Sequence, residues 1–332
     1  MIVPDTVPRG TGQPLKGSLK ILSRLRGARG ALGFAVAALL WIATFAYAGG
    51  QGAGATLSTA LAFAAFGVIV GTGQMLVIAS GSGNFDLSIP SVMTLAAYIS
   101  MGLMHGQDYR LAGGFAVALA VGAVAGALNF LAIAALRLPP MIATLAWSFV
   151  FQSLAMNLGG EATIKPPALL SEFTVFRLGG VQVMPLFVMA MTAVMAVVVK
   201  RTVFGRHLLA IGQSERGARL AGIHVTRVRL YSYMLCGIAA AVAGFLLSGF
   251  TGGAALNMGD TYMMESVAVV VLGGASVAGG EANPIGIWGA ALFFNLLAIL
   301  LNTFGLDAGV RLLLTGIMVV LIVAVAPRTA GD

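Results

Sequence analysis

Few side chains in this sequence could perform chemistry, and their spacing argues against catalysis. Ser276 lies in Gly274-Ala275-Ser276-Val277-Ala278, a glycine-flanked setting that would suit a serine nucleophile. Such a serine needs a base within hydrogen-bond reach. The three histidines, His105, His207 and His224, all fall in segments read as loops, and none follows Ser276. There is no His-Glu-x-x-His pair to hold zinc. The single cysteine, Cys236, sits inside an apolar run, so it can build neither an intrachain disulfide nor a thiolate metal site. None of the four lysines, Lys16, Lys20, Lys165 and Lys200, follows a glycine, as a phosphate-cradling loop requires. No catalytic residue and no cofactor bound by this chain is therefore expected. If ATP drives its activity, another chain binds the nucleotide and its magnesium.

The remaining candidates are concentrated in two glycine-rich polar stretches. Residues 80–90 read Ser-Gly-Ser-Gly-Asn-Phe-Asp-Leu-Ser-Ile-Pro, and residues 273–284 read Gly-Gly-Ala-Ser-Val-Ala-Gly-Gly-Glu-Ala-Asn-Pro. Each interrupts an apolar run. Broken backbone at membrane depth is tolerated only where protein or a water-filled cavity satisfies the freed N–H and C=O groups. Paired breaks therefore point to a translocation pathway, as in transporters built from repeats. The pathway candidates are Asn84, Asp86 and Ser88 in the first break and Gly273, Gly274, Ser276, Gly279 and Gly280 in the second. Asp86 has two compatible readings: a gating residue, or a cap that accepts backbone N–H groups at a helix start. Glu265 and Glu281 fall near span ends, where solvation accounts for them. A nearly neutral stretch of Gly, Ser and Asn suits a neutral polar solute.

A third region, residues 200–229, carries seven Lys or Arg and one acid, Glu215. Ser214 is placed to cap a short helix, Glu215 to favour its positive end, and Gly222 to stop it in a left-handed turn. Glu215 and Arg219 are spaced i,i+4 in the better order, and Ala218 and Ala221 form a strip of small residues. Two turns of helix, basic on one side and small on another, suit a cleft on a cytoplasmic protein. Contact with lipid headgroups would also use the basic charge.

These segments are held by elements that belong in a bilayer. Of 332 residues, 59% are hydrophobic and 9% charged, against about 25% charged in soluble domains. Apolar runs near 31–48, 57–79, 90–104, 112–135, 140–157, 181–199, 230–250, 264–280, 284–303 and 310–326 predict about ten transmembrane helices in an all-α protein. With the N-terminus inside, fifteen Lys or Arg fall on the cytoplasmic side and four, Arg110, Lys165, Arg177 and Arg311, on the other. The positive-inside rule then puts both termini in the cytoplasm. The net charge of +8 thus serves orientation rather than nucleic-acid binding. Ala46-Tyr47-Ala48 has the look of a signal-peptidase site, but the polar stretch before it and the length of 31–48 favour an uncleaved helix. The expected organisation is a basic tail over 1–30, one membrane domain over 31–326 with an external loop at 158–180, and a short tail over 327–332. The 45 glycines suit close helix packing, and Gly67/Gly71 and Gly122/Gly126 have GxxxG spacing, which chance also produces in so glycine-rich a chain.

At three places the sequence resembles the ribose-type permease family of ABC importers. Gly83-Asn84-Phe85-Asp86-Leu87-Ser88-Ile89-Pro90 is similar to the family's Gly-Gly-x-Asp-Leu-Ser-x-Gly. Residues 271–280 match its Val-Leu-Gly-Gly-x-Ser-x-x-Gly-Gly stretch in full, and Gly212, Ala218, Gly222 and Ile223 match its cytoplasmic pattern. Two departures, Asn84 and Pro90 in place of glycines, fall in the first break and bear on pathway geometry or substrate. The resemblance implies an importer in a bacterial inner membrane for a monosaccharide. It further implies two permease subunits, same or sister, with two cytoplasmic ATPase domains carrying ATP and magnesium, and an external or periplasmic solute-binding protein. It makes Gly212, Glu215, Arg216, Ala218, Arg219 and Gly222 the segment that docks on the ATPase. A related branch carries branched-chain amino acids, and nucleosides are a further substrate class. An ion-coupled secondary transporter is the competing function, but it needs ionisable residues at mid-span, and Asp86 is the one fair candidate.

Overall fold

A computed structural model describes residues 15–50, 52–159 and 165–325. Residues 1–14 of the expected N-terminal tail, 160–164 of the external loop and the expected tail 327–332 lie outside the described residues. The chain is an all-α membrane protein. Its helices are α1 (Leu15–Tyr47), α2 (Ala53–Ala79), α3 (Ile89–Met104), α4 (Leu111–Leu136), α5 (Pro140–Leu158), α6 (Ala168–Val175), α7 (Val183–Arg201), α8 (Val203–Gln213), α9 (Glu215–Leu220), α10 (Val225–Thr251), α11 (Tyr262–Leu272), α12 (Pro284–Thr303) and α13 (Ala308–Val325). A two-residue hairpin, β1 (Arg177–Leu178) with β2 (Val181–Gln182), lies between α6 and α7.

Among the described residues six helices are long and apolar enough to cross a membrane, α2, α5, α7, α10, α12 and a segment ending with α4. Two further apolar helices, α3 and α11, are shorter because breaks cut them. Helix α3 has 16 residues, about 24 Å at 1.5 Å per residue, less than the hydrocarbon thickness of about 30 Å. Helix α11 has 11 residues and stops at Leu272, eight residues before the expected end of its run at 280.

Helix α2 is the axis of the molecule. Every residue from Ala64 to Ser80 is buried, the pattern of a helix surrounded by others. Helices α10, α11 and α12 pack around it. The outer surface is apolar, with Leu39, Val124, Phe149, Leu312 and Val320 exposed, as a lipid-facing surface requires. Both GxxxG pairs are used in packing. A Cβ at Gly122 or Gly126 would run into the backbone of Gly237 or Tyr233 on α10, and one at Gly71 into Val269 on α11. Small residues let helices meet at backbone distance where lipid supplies no hydrophobic drive.

Both polar loops contain more helix than the sequence suggests. The cytoplasmic loop expected over 200–229 is mostly α8 and α9, with α7 running into it to Arg201 and α10 beginning at Val225. The expected helix of residues 215–221 is present as α9, whereas α8 was not foreseen. Thr202 starts α8, its hydroxyl accepting from Gly205 N–H at 3.2 Å. The loop expected outside at 158–180 carries α6, and Leu170 on α6 packs against Gly249 of α10.

Candidate translocation pathway

The first break turns back into the protein. After α2 ends, residues 84–88 run alongside its last turns, so that Asp86 N–H donates to Gln74 Oε1 at 3.2 Å. Gln74 lies five residues before the end of α2, about 7 Å inward along the axis. On the other side Leu87 N–H donates to Thr144 Oγ1 of α5 at 3.1 Å. Helix α3 therefore starts inside the bundle.

Asp86 is the anchor of this segment and is 2% exposed. Its Oδ1 accepts from Ser88 N–H at 2.9 Å and from Ser88 Oγ at 2.6 Å. Asn129 of α4 donates from Nδ2 to both carboxylate oxygens, at 3.3 and 3.4 Å, and to Ser88 Oγ at 2.7 Å. A buried carboxylate persists where donors replace its water. Asn129, seven residues from the end of an otherwise apolar helix, carried no motif. An asparagine at membrane depth was the available signal. Asn84 is buried too, its Nδ2 donating to Gly81 O at 3.2 Å.

The second break closes onto the first. Gly280 N–H donates to the carbonyl of Ala79, the last residue of α2, at 3.0 Å. A Cβ on Gly279 would lie 2.8 Å from Gly81 Cα. Helix α12 restarts directly beside the end of α11: Asn283 Nδ2 donates to Gly273 O at 2.9 Å while its Oδ1 accepts from Gly286 N–H at 3.3 Å. Gly274, Gly279 and Gly280 all have positive φ, at 94°, 91° and 75°, which lets the loop double back within a few residues. Ser276 Oγ accepts from Ala278 N–H at 3.2 Å, a local turn contact.

The α8–α9 segment meets both breaks. A Cβ at Gly212, on α8, would collide with Ala79 O and Gly280 N, so the backbones of α8, α2 and the second break touch at this residue. Gln213 Nε2 reaches Gly280 O at 3.5 Å. Ser214 caps α9 by accepting from Gly217 N–H at 3.1 Å, and Gly222 ends it at φ +79°. Glu215 accepts from Arg219 Nη2 at 2.7 Å through Oε1 and from Arg229 Nη2 at 2.7 Å through Oε2. Hydrogen bonding from Arg219, aided by Arg229 and opposed by burial, holds the Glu215 carboxyl below the usual carboxylate range. Arg229 also donates from Nε to Ser80 O at 3.3 Å. Ala218 is buried. Arg216 makes no contact in this network.

Sequence reasoning missed a third interruption. Residues 252–261, which lie between the apolar runs 230–250 and 264–280, fold back into the bundle. Leu256 O accepts from Gln152 Nε2 at 2.8 Å and from Thr94 Oγ1 at 3.5 Å. Gln152 lies twelve residues into the 19-residue α5, about 18 Å from its start. A Cβ on Gly259 would sit 2.6 Å from Pro90 O at the start of α3. Helix α11 therefore begins deep in the bundle. Glu265, expected at a solvated interface, instead lies against Gly67, twelve residues from the end of α2, where Asn295 Nδ2 donates to its Oε1 at 3.4 Å. The sequence signal was Gly252-Gly253, which reads equally well as an ordinary helix stop.

Residues 53–323 match the family model described as branched-chain amino acid transport system / permease component. The chain is 32% identical to the fructose import permease protein of Rhizobium meliloti, over 77% of this chain and 73% of that one. It is 33% identical to an autoinducer 2 import system permease protein of Photorhabdus laumondii subsp. laumondii, over 75% of this chain and 76% of that one. It is 28% identical to the ribose import permease protein of Escherichia coli strain K12, over 77% of this chain and 81% of that one. No solved structure matches it. With helices broken in the manner of a transporter and import permeases as its relatives, the chain belongs to this permease family and is a transport subunit, not an enzyme.

Proposed function

We propose that this chain forms the translocation pathway of an ABC importer for a neutral polar solute, a monosaccharide, in a bacterial inner membrane. The observation that carries the reading is the meeting of both breaks with the cytoplasmic segment at Gly212, Ala79 and Gly280. A push on α9 has a backbone-to-backbone route to both. ATP hydrolysis then belongs to a separate cytoplasmic subunit, with Glu215, Arg216, Arg219 and Gly222 at the docking face and Ala218 packed inward behind them. A second permease subunit and an external solute-binding protein complete the assembly. Ten spans with both termini cytoplasmic fit this arrangement. The relatives named for fructose, ribose and autoinducer 2 support a sugar-like cargo over a branched-chain amino acid.

In the pathway, Asn84, Asp86 and Ser88 set the shape of the first break from its buried side, and Gly273, Gly274, Ser276, Gly279 and Gly280 form the second. An ion-coupled carrier fits less well, because the Asp86 carboxylate is enclosed by Ser88 and Asn129 rather than open to an ion path.

The test is capture from native membranes by tagged wild type and by an Arg216→Glu, Gly222→Pro variant, with ATPase subunits identified by mass spectrometry. Wild type is expected to bring down an ABC ATPase and the variant to lose it. Capture of no ATPase by wild type, together with solute uptake driven by an ion gradient, would overturn the reading.

A further inference from the structure

Three acidic residues lie deep in the bundle, and they differ in what surrounds them. Asp86 is enclosed by Ser88 and Asn129, and Glu265 is half-buried beside Asn295. Asp260, on the third interruption, is exposed, and its side chain has no hydrogen-bond or ion-pair partner among the described residues. The same is true of Asn257, one turn earlier. The turn itself is ordered by its backbone, with Asp260 N–H donating to Asn257 O at 3.3 Å and Tyr262 N–H to Gly259 O at 2.9 Å.

The depth of these residues gives their exposure its meaning. Gly244 of α10 packs on the backbone of Met93 in α3. From that contact α10 climbs seven more residues to Thr251, while Pro90 lies three residues below Met93. Gly259 touches Pro90, so the chain falls back roughly 15 Å from the top of α10. That is about half the hydrocarbon thickness. An open carboxylate and an open carboxamide at that depth cannot face lipid, because either group would lose its water without replacement.

We infer that Asn257 and Asp260 form a solute-contacting face of the pathway, where the carboxylate and carboxamide hydrogen-bond the hydroxyl groups of a neutral polyhydroxylated solute. This rests on the importer reading above, and it adds a binding face on a segment outside both breaks. The chemistry fits such a cargo. A carboxylate accepts from two hydroxyls at once, and a carboxamide both donates and accepts. Neither demands a charged partner on the solute. The second permease subunit is the other surface that could cover these side chains, and the experiment separates the two.

The test uses the assembled transporter in proteoliposomes with its ATPase and its solute-binding protein. Because the single native cysteine, Cys236, is buried, a Cys236→Ser background permits single reporters at Asn257→Cys and Asp260→Cys, with Ser248→Cys as a buried control. The probe is a membrane-impermeant, positively charged methanethiosulfonate applied during ATP turnover. Both reporters are expected to react and the control to stay unlabelled, and modification is expected to block uptake of the transported monosaccharide. Separately, Asp260→Asn should lower uptake about tenfold or more, the loss of a hydrogen bond to a charged group, with ATPase capture unchanged. Labelling of 257 and 260 only by a lipid-soluble maleimide would place them against lipid, and labelling by neither reagent would place them under the second subunit. Either result overturns the inference. Failure of wild type itself to import with ATP would instead count against the importer reading, since water access at 257 and 260 is scored independently of transport.

Discussion

Arg229 ties Glu215 to Ser80: one guanidinium donates at 2.7 Å to the carboxylate at the start of α9 and at 3.3 Å to the carbonyl that follows α2. Arg229 is only partly exposed, with its side chain at 22%, so this contact is less screened than the Glu215–Arg219 pair beside it. It links α9 to the first break through a single side chain. Arg229→Gln is expected to leave ATPase capture intact and to lower solute uptake about tenfold. Arg229→Lys, which keeps the positive charge and N–H donors, should recover part of that loss. Uptake at the wild-type level in Arg229→Gln would show that Gly212 alone carries the connection.

Acid should loosen α9 only well below neutrality. The Glu215 carboxyl is held below its usual range, so its contribution is complete above the unfolded-state value and is lost as pH falls through the folded one. Amide hydrogen exchange over 215–221 is expected to be flat, after correction for intrinsic rates, from about pH 8 to about pH 5, and to rise below about pH 4. In Arg219→Gln the rise should begin at higher pH. A change in wild type near neutrality would mean that another group controls this turn.

Gly212 tolerates no side chain. Gly212→Ala places a methyl group against Ala79 O and Gly280 N, and backbone on both sides cannot move as a side-chain tip can. A loss of about 1 to 3 kcal/mol is expected, read as a lower midpoint in thermal unfolding in detergent, together with loss of uptake. Gly113→Ala, where nothing lies within 4 Å, is the matched control and should be neutral.

The Asp86 cage should behave as a unit. Asn129→Ala removes the donor shared by Asp86 and Ser88 and should cost about 1 to 3 kcal/mol. Combined with Ser88→Ala, the losses should fall short of or exceed additivity by about 0.5 kcal/mol or more. Additive losses would mean that Asn129 and Ser88 hold Asp86 independently.

Much of this protein is written locally in its sequence. The apolar runs decide that it lies in a bilayer, because 9% charged residues cannot solvate a surface. The α9 helix is legible residue by residue, since Ser214, Glu215, Arg219 and Gly222 act within two turns of one another. The two breaks are equally visible, because each mixes glycine with Ser and Asn and ends on a proline, Pro90 or Pro284, of the kind that starts a new helix.

What the breaks do with one another was decided only by the tertiary structure. Residues 79 and 280 are far apart in sequence, and nothing in either motif says that Gly280 donates to Ala79 or that Gly212 lies between them. The partners of Asp86 are likewise distant: Gln74 through the backbone and Asn129 through the carboxylate, each an unmarked polar residue on an apolar helix. The return of residues 252–261 into the bundle leaves the weakest trace of all. A loop that stays outside and a loop that folds inward can share the same Gly-Gly opening. The difference lies in whether α3 and α5 offer Thr94 and Gln152 to take up the carbonyl of Leu256, and that depends on packing across the whole chain.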